Sequence, residues 1–252
     1  MEILVCVKRY VLAGSTFVLN EDGTEIDAKN LGYTLAPHEE VAVEQAIRFV
    51  EEFGGSTTVM TLSHPDVEEQ LREQLAIGAD RGVILATDGS EWDPQATAGA
   101  IVDAIKAEST SFDVILFGAE SADSNNSQVG IRVAHALGLP IVTNVRGVTI
   151  KDGVARCERV VGSNREVYDV TLPAVLTTRE GLNIPRYPSV PGRIKARKKP
   201  VDTQTPSKPA AKIEKVKLIV PPNQKTGATV LGQGAAGAPA AVAMMTEIGV
   251  LS

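Results

Sequence analysis

A run of small polar residues at positions 118–129 is the richest candidate site in the sequence. It follows the almost wholly apolar strand pattern Asp113–Phe117 and precedes a helical pattern that begins at Gly130. Free main-chain N–H groups at a helix start, together with serine hydroxyls and asparagine amides, can hold a phosphate. An ordinary polar loop in which Ser127 caps the helix is the alternative. The residues of this candidate phosphate loop are Gly118, Ala119, Glu120, Ser121, Ala122, Asp123, Ser124, Asn125, Asn126, Ser127, Gln128 and Val129.

Two other segments follow predicted strands and are expected near this loop. Cys6–Arg9 comes after the first strand pattern, and Thr61–His64 comes after the second. Ligands of open parallel sheets bind outside the carboxyl ends of the strands. The three segments are therefore expected to meet at one edge of the sheet.

Other patterns with chemical meaning are weaker. Gly232–Gly237 matches the GxGxxG dinucleotide fingerprint, but a dinucleotide fold needs a further strand and an acidic residue about 20 positions later, and the sequence stops at Ser252. His38, His64 and His135 are isolated and show no metal-ligand spacing. No residue pair suggests a nucleophile with its base, so the sequence predicts a binding or carrier protein and no metal centre.

The basic run Arg193–Lys199 stands out in a chain with a net charge of −6. Such a run is usually a solvated surface. Its place inside a proline-rich stretch favours a docking element as the alternative.

The order of predicted elements indicates an α/β fold with a Rossmann-like parallel sheet. Strand and helix patterns alternate through the first 140 residues, which is typical of right-handed βαβ units with helices on both faces of the sheet. The predicted strands are Ile3–Val7, Thr57–Leu62, Arg81–Ala86 and Asp113–Phe117, and the predicted helices are Ala36–Phe53, Pro65–Ala79, Asp93–Ala107 and Gly130–Leu137.

The second half of the sequence has a different pattern. Ile141–Ile150, Val154–Val161 and Arg165–Thr178 are β-rich and separated by turn residues, which predicts an antiparallel β extension. Periodicity is then lost, and eight prolines fall within residues 185–225, a stretch that cannot build its own core. We expect a nucleotide-binding domain at 1–181, an extended arm at 182–235 that is disordered or lies along a partner, and a C-terminal helix at 236–252.

Composition excludes several classes of protein. A net charge of −6 and only 4% aromatic residues argue against a nucleic-acid-binding protein. No apolar run approaches the roughly 20 residues that span a membrane, and the N-terminal strand pattern does not resemble a signal peptide. Cys6 and Cys157 lie in apolar or strand-like contexts, so we expect reduced, structural thiols in a cytoplasmic protein.

Several ordered motifs identify a family. The segment Leu182–Tyr187, followed by Ser189–Pro191 and Ile194–Lys199, closely resembles the signature of electron transfer flavoprotein β subunits. Further matches in the family's order are Val5–Arg9, Glu40–Ala46, Gly78–Gly82, Glu158-Arg159 and Leu172–Val175. The resemblance covers nearly the whole chain except residues 201–235.

The resemblance implies an electron carrier rather than an enzyme. The β subunit of this family forms an α/β domain of adenine-nucleotide-hydrolase type, pairs with an α subunit that holds most of the redox FAD, and itself buries an AMP. The family's nucleotide contacts carry over to the loop at 118–129 and to Cys6, Ala36, Pro37, His38, Glu39 and Ser63. Its recognition loop, which docks flavoprotein dehydrogenases, carries over to residues 178–200, where the candidate docking residues are Tyr187, Ser189, Val190, Pro191, Arg193 and Lys195.

Departures from the family pattern leave two alternatives. Ser127–Gly130 replaces a common Asn-Gln-Thr-Gly, and Ala36 stands where Asn is common, so the nucleotide is AMP or, as in electron-bifurcating members, a second FAD. Val190 is smaller than the usual Leu, a loss worth about 0.8 kcal/mol of docking energy. A stand-alone adenine-nucleotide-binding regulator of stress-protein type is the alternative from another class.

Overall fold

The computed structural model describes residues 1–12, 18–27, 32–213, 215–220 and 229–251. Its strands are β1 (Glu2–Cys6), β2 (Arg9–Leu12), β3 (Gly32–Leu35), β4 (Ser56–Ser63), β5 (Arg81–Ala86), β6 (Val114–Gly118), β7 (Ile141–Lys151), β8 (Val154–Val161), β9 (Asn164–Thr171), β10 (Ala174–Thr178) and β11 (Val201–Gln204). Its α-helices are α1 (Pro37–Phe53), α2 (Glu68–Ile77), α3 (Pro94–Ala107), α4 (Val129–Leu137), α5 (Val190–Ala196) and α6 (Ala238–Glu247).

One nine-stranded sheet organises the fold, in the order β11-β5-β4-β1-β6-β10-β7-β8-β9. The first seven strands of this order pair in parallel, and β8 and β9 add an antiparallel extension to β7. β2 and β3 form a separate hairpin. The predicted α/β class with a largely parallel sheet and an antiparallel extension is confirmed.

Helices cover both faces of the sheet because each has one apolar stripe to bury. Val43 of α1, Leu71 of α2 and Ala196 of α5 belong to the core on one face. Ile101 of α3 and Val133 of α4 belong to the core on the other. Local signals set the helix starts: α1 and α3 each have proline in the first turn, and the Asp93 carboxylate accepts from Ala96 N–H at the start of α3.

β10 occupies a place that the sequence pattern did not predict. Arg165–Thr178 was expected as one antiparallel segment, but only β9 is antiparallel, and β10 lies inside the sheet as a parallel strand between β6 and β7. All five residues of Ala174–Thr178 are buried. An apolar strand of this kind needs cover on both faces, which only the centre of the sheet provides.

The stretch after Gly181 is more ordered than the sequence suggests. Residues 182–204 pack on the same chain, form the short helix α5 and end in β11, which extends the parallel sheet beyond β5. The first compact unit runs from Met1 to Lys217. Pro221 and Pro222 of the predicted arm lie outside the described residues.

The second unit begins at Leu218. It contains a 3-10 turn at Gly234–Gly237 followed by α6, and none of the residues in these two elements is buried. The GxGxxG match therefore forms a lead-in to a helix. No helix in the described part of the chain combines the length and the apolar character that crossing a membrane requires.

Candidate functional site

The sheet order creates a crevice between β1 and β6. The chain moves from β1 outward to β4 and β5, then returns to place β6 on the other side of β1. Ligands of open parallel sheets bind at such a switch point, outside the carboxyl ends of the strands. Cys6 pairs with Phe117 across this junction, so the end of β1 lies beside Gly118. Ser63 ends the next strand, β4.

The first turn of α1 lies against the end of β6. The hydroxyl of Thr178, at the end of β10, is 3.0 Å from the main-chain oxygen of His38 and 3.3 Å from that of Phe117. It therefore links the start of α1 to β6. Ala36 is the N-cap of α1 and offers no side-chain cap, while Pro37 is exposed. The predicted contact residues of this turn thus lie at the crevice edge.

Glu39 places a buried carboxyl group at this junction. The residue is 4% exposed, and a Cβ on Gly118 would lie 3.0 Å from its Cδ. Burial and, to a smaller extent, the nearby Asp123 raise the pKa of Glu39 to about 8, although a main-chain hydrogen bond and Lys8 act to lower it. Among the described residues nothing donates to its Oε2. At neutral pH Glu39 is largely protonated and can itself donate a hydrogen bond.

A chain of polar contacts holds the 118–129 loop in place. Lys8 Nζ lies 2.6 Å from Asp123 and 3.3 Å from Ser124 Oγ, which is in turn 2.7 Å from Ser121 Oγ. Arg179 Nη2 lies 2.9 Å from Glu120, so a residue beyond β10 also holds the loop. The loop is thus attached to the ends of both β1 and β10.

The start of α4 has the features of an anion cradle. Gln128 is the N-cap and makes no side-chain cap, so the alternative in which Ser127 caps the helix is not observed. Asn125 and Ser127 have positive φ values of 48° and 51°, which turn the main chain sharply before the helix. A Cβ on Gly130 would lie 2.9 Å from Thr177 Cγ2, so glycine allows α4 to approach the sheet closely.

This geometry suits binding more than covalent chemistry. The basic side chains Lys8 and Arg179 are already paired with Asp123 and Glu120, so a phosphate would rely on main-chain N–H groups and hydroxyls. Burial raises the pKa of the Cys6 thiol, which keeps the thiol neutral. Within the described ranges no three His, Cys, Asp or Glu side chains are grouped so that they could hold a metal ion.

Lys8, Thr178 and Arg179 are site residues that the sequence analysis did not name as nucleotide contacts, although Lys8 lies in the selected segment Cys6–Arg9 and the other two lie at the start of residues 178–200. Lys8 lies two residues after the end of β1, and this position is a signal that could have identified it. Thr178 and Arg179 lie at the carboxyl end of β10. They could be identified only once β10 was known to be a parallel strand beside β6.

The predicted docking residues lie along residues 182–196, on the outer side of α1 and α2. Tyr187 is 95% exposed and Val190 is 73% exposed. Ser189 caps α5 by accepting from Gly192 N–H at 3.1 Å. A Cβ on Gly192 would lie 2.4 Å from the main-chain oxygen of Ala76, so glycine is required where α5 meets α2. Pro191, Arg193 and Lys195 are exposed.

The basic run is split between surface and structure. Lys199 Nζ donates to the main-chain oxygens of Leu75, Gly78 and Ala79 at 3.0, 3.3 and 2.6 Å, which caps the end of α2. Arg72 donates to the main-chain oxygens of Ala196 and Lys199. The lysine that ends the run is therefore structural.

Comparison with known proteins assigns the family. The family model described as the electron transfer flavoprotein domain matches residues 24–209. The electron transfer flavoprotein subunit beta of Syntrophomonas wolfei is 36% identical over 228 residues, covering 90% of this chain and 88% of that protein. The Bacillus subtilis protein of the same name is 29% identical and covers 97% of each chain. The caffeyl-CoA reductase-Etf complex subunit CarD of Acetobacterium woodii is 34% identical, covering 80% and 77%. The chain belongs to the electron transfer flavoprotein family and corresponds to its β subunit.

Proposed function

We propose that the chain pairs with an α subunit and shuttles electrons from flavoprotein dehydrogenases to an acceptor, with no turnover of its own. The redox FAD would be held mainly by the α subunit. The observation that carries this proposal is the similarity to β subunits over nearly the whole chain. The buried, neutral Cys6 thiol and the already paired Lys8 and Arg179 at the crevice agree with a role in binding. Two buried free cysteines also favour a cytoplasmic location.

The crevice residues fit an adenine nucleotide such as AMP. Ser121, Ser124 and Ser127 supply hydroxyls, and the start of α4 supplies main-chain N–H groups that no side chain caps. The glycine at 130 brings that helix start close to the sheet. AMP bound here would join the ends of β1 and β6 to α1 and α4, and its chemical role would be structural.

Docking of a dehydrogenase is assigned to the exposed apolar side chains around Val190. Val190→Ala removes about two methylene equivalents and should weaken electron transfer from the dehydrogenase by about tenfold, with FAD content unchanged. The measurement is the KM of the dehydrogenase for the heterodimer. Val216→Ala is the matched control, because Val216 is 84% exposed and lies outside residues 182–196, which contain the predicted docking residues. Equal loss of FAD and of electron transfer would argue for a folding defect.

A bifurcating subunit with a second FAD in the crevice is the second candidate. It is favoured by the similarity to a subunit of the caffeyl-CoA reductase-Etf complex. The nucleotide released by denaturing the purified heterodimer distinguishes the two. One flavin and one AMP per heterodimer supports the carrier, whereas two flavins and no AMP support the bifurcating subunit.

A further inference from the structure

The segment Leu182–Tyr187 is attached to α1 through hydrogen bonds. Asn183 Nδ2 donates to the main-chain oxygen of Val41 at 3.0 Å and to Gln45 Oε1 at 3.1 Å. Arg48 Nη2 donates back to the main-chain oxygen of Ile184 at 3.2 Å. The segment Leu182–Tyr187 has no regular secondary structure and no apolar stripe, and hydrogen bonds hold it along the surface of α1.

Arg186 makes the most extensive of these attachments. Its guanidinium donates to Glu44 at 2.9 and 3.1 Å and to Glu51 at 2.6 and 2.9 Å, and its main-chain N–H also donates to Glu44 at 3.2 Å. Glu44 and Glu51 lie seven residues apart on α1, so one arginine spans two helical turns. We call Arg186, Glu44 and Glu51 the arginine clamp.

The two halves of the clamp differ in burial. The side chain of Glu44 is 2% exposed, and that of Glu51 is 56% exposed. Burial acts to raise the pKa of Glu44, but the hydrogen bonds from Arg186 and Arg48 outweigh it and keep this pKa below its usual range. Glu44 is thus a buried carboxylate that holds the inner edge of the guanidinium. The exposed pair with Glu51 adds little to stability, as surface ion pairs do, but it fixes the orientation of Arg186.

The side chains on either side of the clamp point away from the core. Ile184 is 84% exposed, Tyr187 is 95% exposed and Val190 is 73% exposed. The clamp holds the backbone between Ile184 and Tyr187 while both apolar side chains stay in solvent. An exposed aromatic side chain on a fixed backbone loses little further entropy on binding, so such residues serve well as anchors at interfaces.

We propose that Arg186 is a positioning residue for docking: it fixes the segment on α1 so that Ile184 and Tyr187, beside Val190, form a preformed apolar surface for the flavoprotein dehydrogenase. This inference rests on the proposed function. Lysine does not reproduce this arrangement, because its ammonium group cannot make the two paired sets of hydrogen bonds that the planar guanidinium makes to Glu44 and Glu51. Without the clamp, the segment Leu182–Tyr187 becomes ordered only when the dehydrogenase binds. The entropy lost in that ordering lowers the affinity for the dehydrogenase.

Arg186→Lys in the heterodimer tests this proposal. The assay is steady-state reduction by the flavoprotein dehydrogenase that reduces the wild-type heterodimer with saturable kinetics. KM should rise about tenfold, as expected when the ordering of two side chains is deferred to binding, with kcat and flavin content unchanged. The melting temperature should fall only modestly, because Arg48 stays paired with the buried Glu44 at 2.6 Å and lysine keeps the positive charge. Trypsin cleavage after residue 186, which both lysine and arginine allow, should become faster. Arg156→Lys is the matched control, since Arg156 pairs with Asp169 at the surface of β8.

A second variant shows whether Arg186 acts through the anchor. Tyr187→Ala alone should raise KM, and adding Arg186→Lys should raise it little further, because residues that act as one unit are not additive. Additive effects, an unchanged KM despite faster cleavage, or a flavin content that falls together with the activity would each overturn the proposal. If no dehydrogenase reduces the wild-type heterodimer, the proposed function fails, and that result is distinct from failure of the clamp.

Discussion

Glu39→Gln should stabilise the protein, and the gain should grow as the pH rises. Burial raises the pKa of Glu39 from its ordinary 4.5 to about 8. Between these two values the folded chain keeps a proton that the unfolded chain releases. The unfolded state then binds fewer protons than the folded state, so the stability of the parent protein falls as the pH rises from about 4.5 to about 8. Glutamine has nearly the same shape and does not titrate, so the stability of the variant does not fall in this way as the pH rises.

The expected size follows from the two pKa values. Each pKa unit corresponds to about 1.4 kcal/mol, so Glu39→Gln should gain about 3 kcal/mol at pH 7 and about 5 kcal/mol above pH 8. Near pH 4.5 the two proteins should be equally stable. At 4% exposure, water contributes little screening to this group.

Urea unfolding at pH 5, 7 and 8.5 measures the effect, with both proteins in the same assembly state and with the same nucleotide content. Trp92 is the only tryptophan and is 8% exposed, so its fluorescence reports on the folded core. Glu52→Gln is the control: Glu52 is exposed on the same helix, and its replacement should change stability by less than about 0.5 kcal/mol. A gain from Glu39→Gln that is the same at all three pH values would refute the assignment of a buried, neutral carboxyl group.

Two further substitutions test the packing around the site. Lys199→Met should lower the free energy of unfolding by about 2–3 kcal/mol, because three main-chain oxygens lose their charged donor. The control is Lys198→Met: Lys198 is exposed, so this change should have little effect in the same urea titration. Gly130→Ala should cost about 1–3 kcal/mol and reduce the AMP retained through gel filtration, because the new methyl group would lie 2.9 Å from Thr177. Gly99→Ala is its control: Gly99 lies in α3 with open space around its Cβ position, and the change should stabilise by about 0.5–1 kcal/mol. Equal effects of the two glycine substitutions would contradict the close approach of α4 to the sheet.

Long periodic patterns allowed most of the first half of the fold to be predicted. The helix expected at Ala36–Phe53 is observed at Pro37–Phe53, and the strand expected at Arg81–Ala86 has those bounds. The helix expected from Pro65 begins instead with a 3-10 turn, and α2 starts at Glu68. Boundaries of this kind depend on the hydrogen bonding of single turns, which periodicity does not encode.

Elements defined by tertiary position could not be predicted in the same way. The residues of β11, Val201–Gln204, do not alternate between buried and exposed positions. They form a strand because they pair with β5. The residue types of β10 indicated a strand, but they did not indicate which strands it pairs with. Residues 182–187 are held by hydrogen bonds to α1, which leave no periodic pattern in the sequence.

The candidate site was predictable to the extent that parallel strands share one carboxyl edge. Cys6, Gly118 and the start of α1 meet there because of that rule. Arg179 was missed because its place depends on the position of β10. The raised pKa of Glu39 could not be predicted from the sequence either, since it depends on burial of the carboxyl group against Gly118.

The position of β10 has a consequence for synthesis of the chain. As the ribosome delivers the N-terminal half, β5, β4, β1 and β6 can pair, but both outer strands of that partial sheet still lack the neighbours that come from residues 174–204. Unpaired strand edges invite association with other chains, and pairings that are distant in sequence form slowly. Residues 182–187 follow soon after β10 along the chain. Their hydrogen bonds to α1 can therefore form only after β10 has been synthesised.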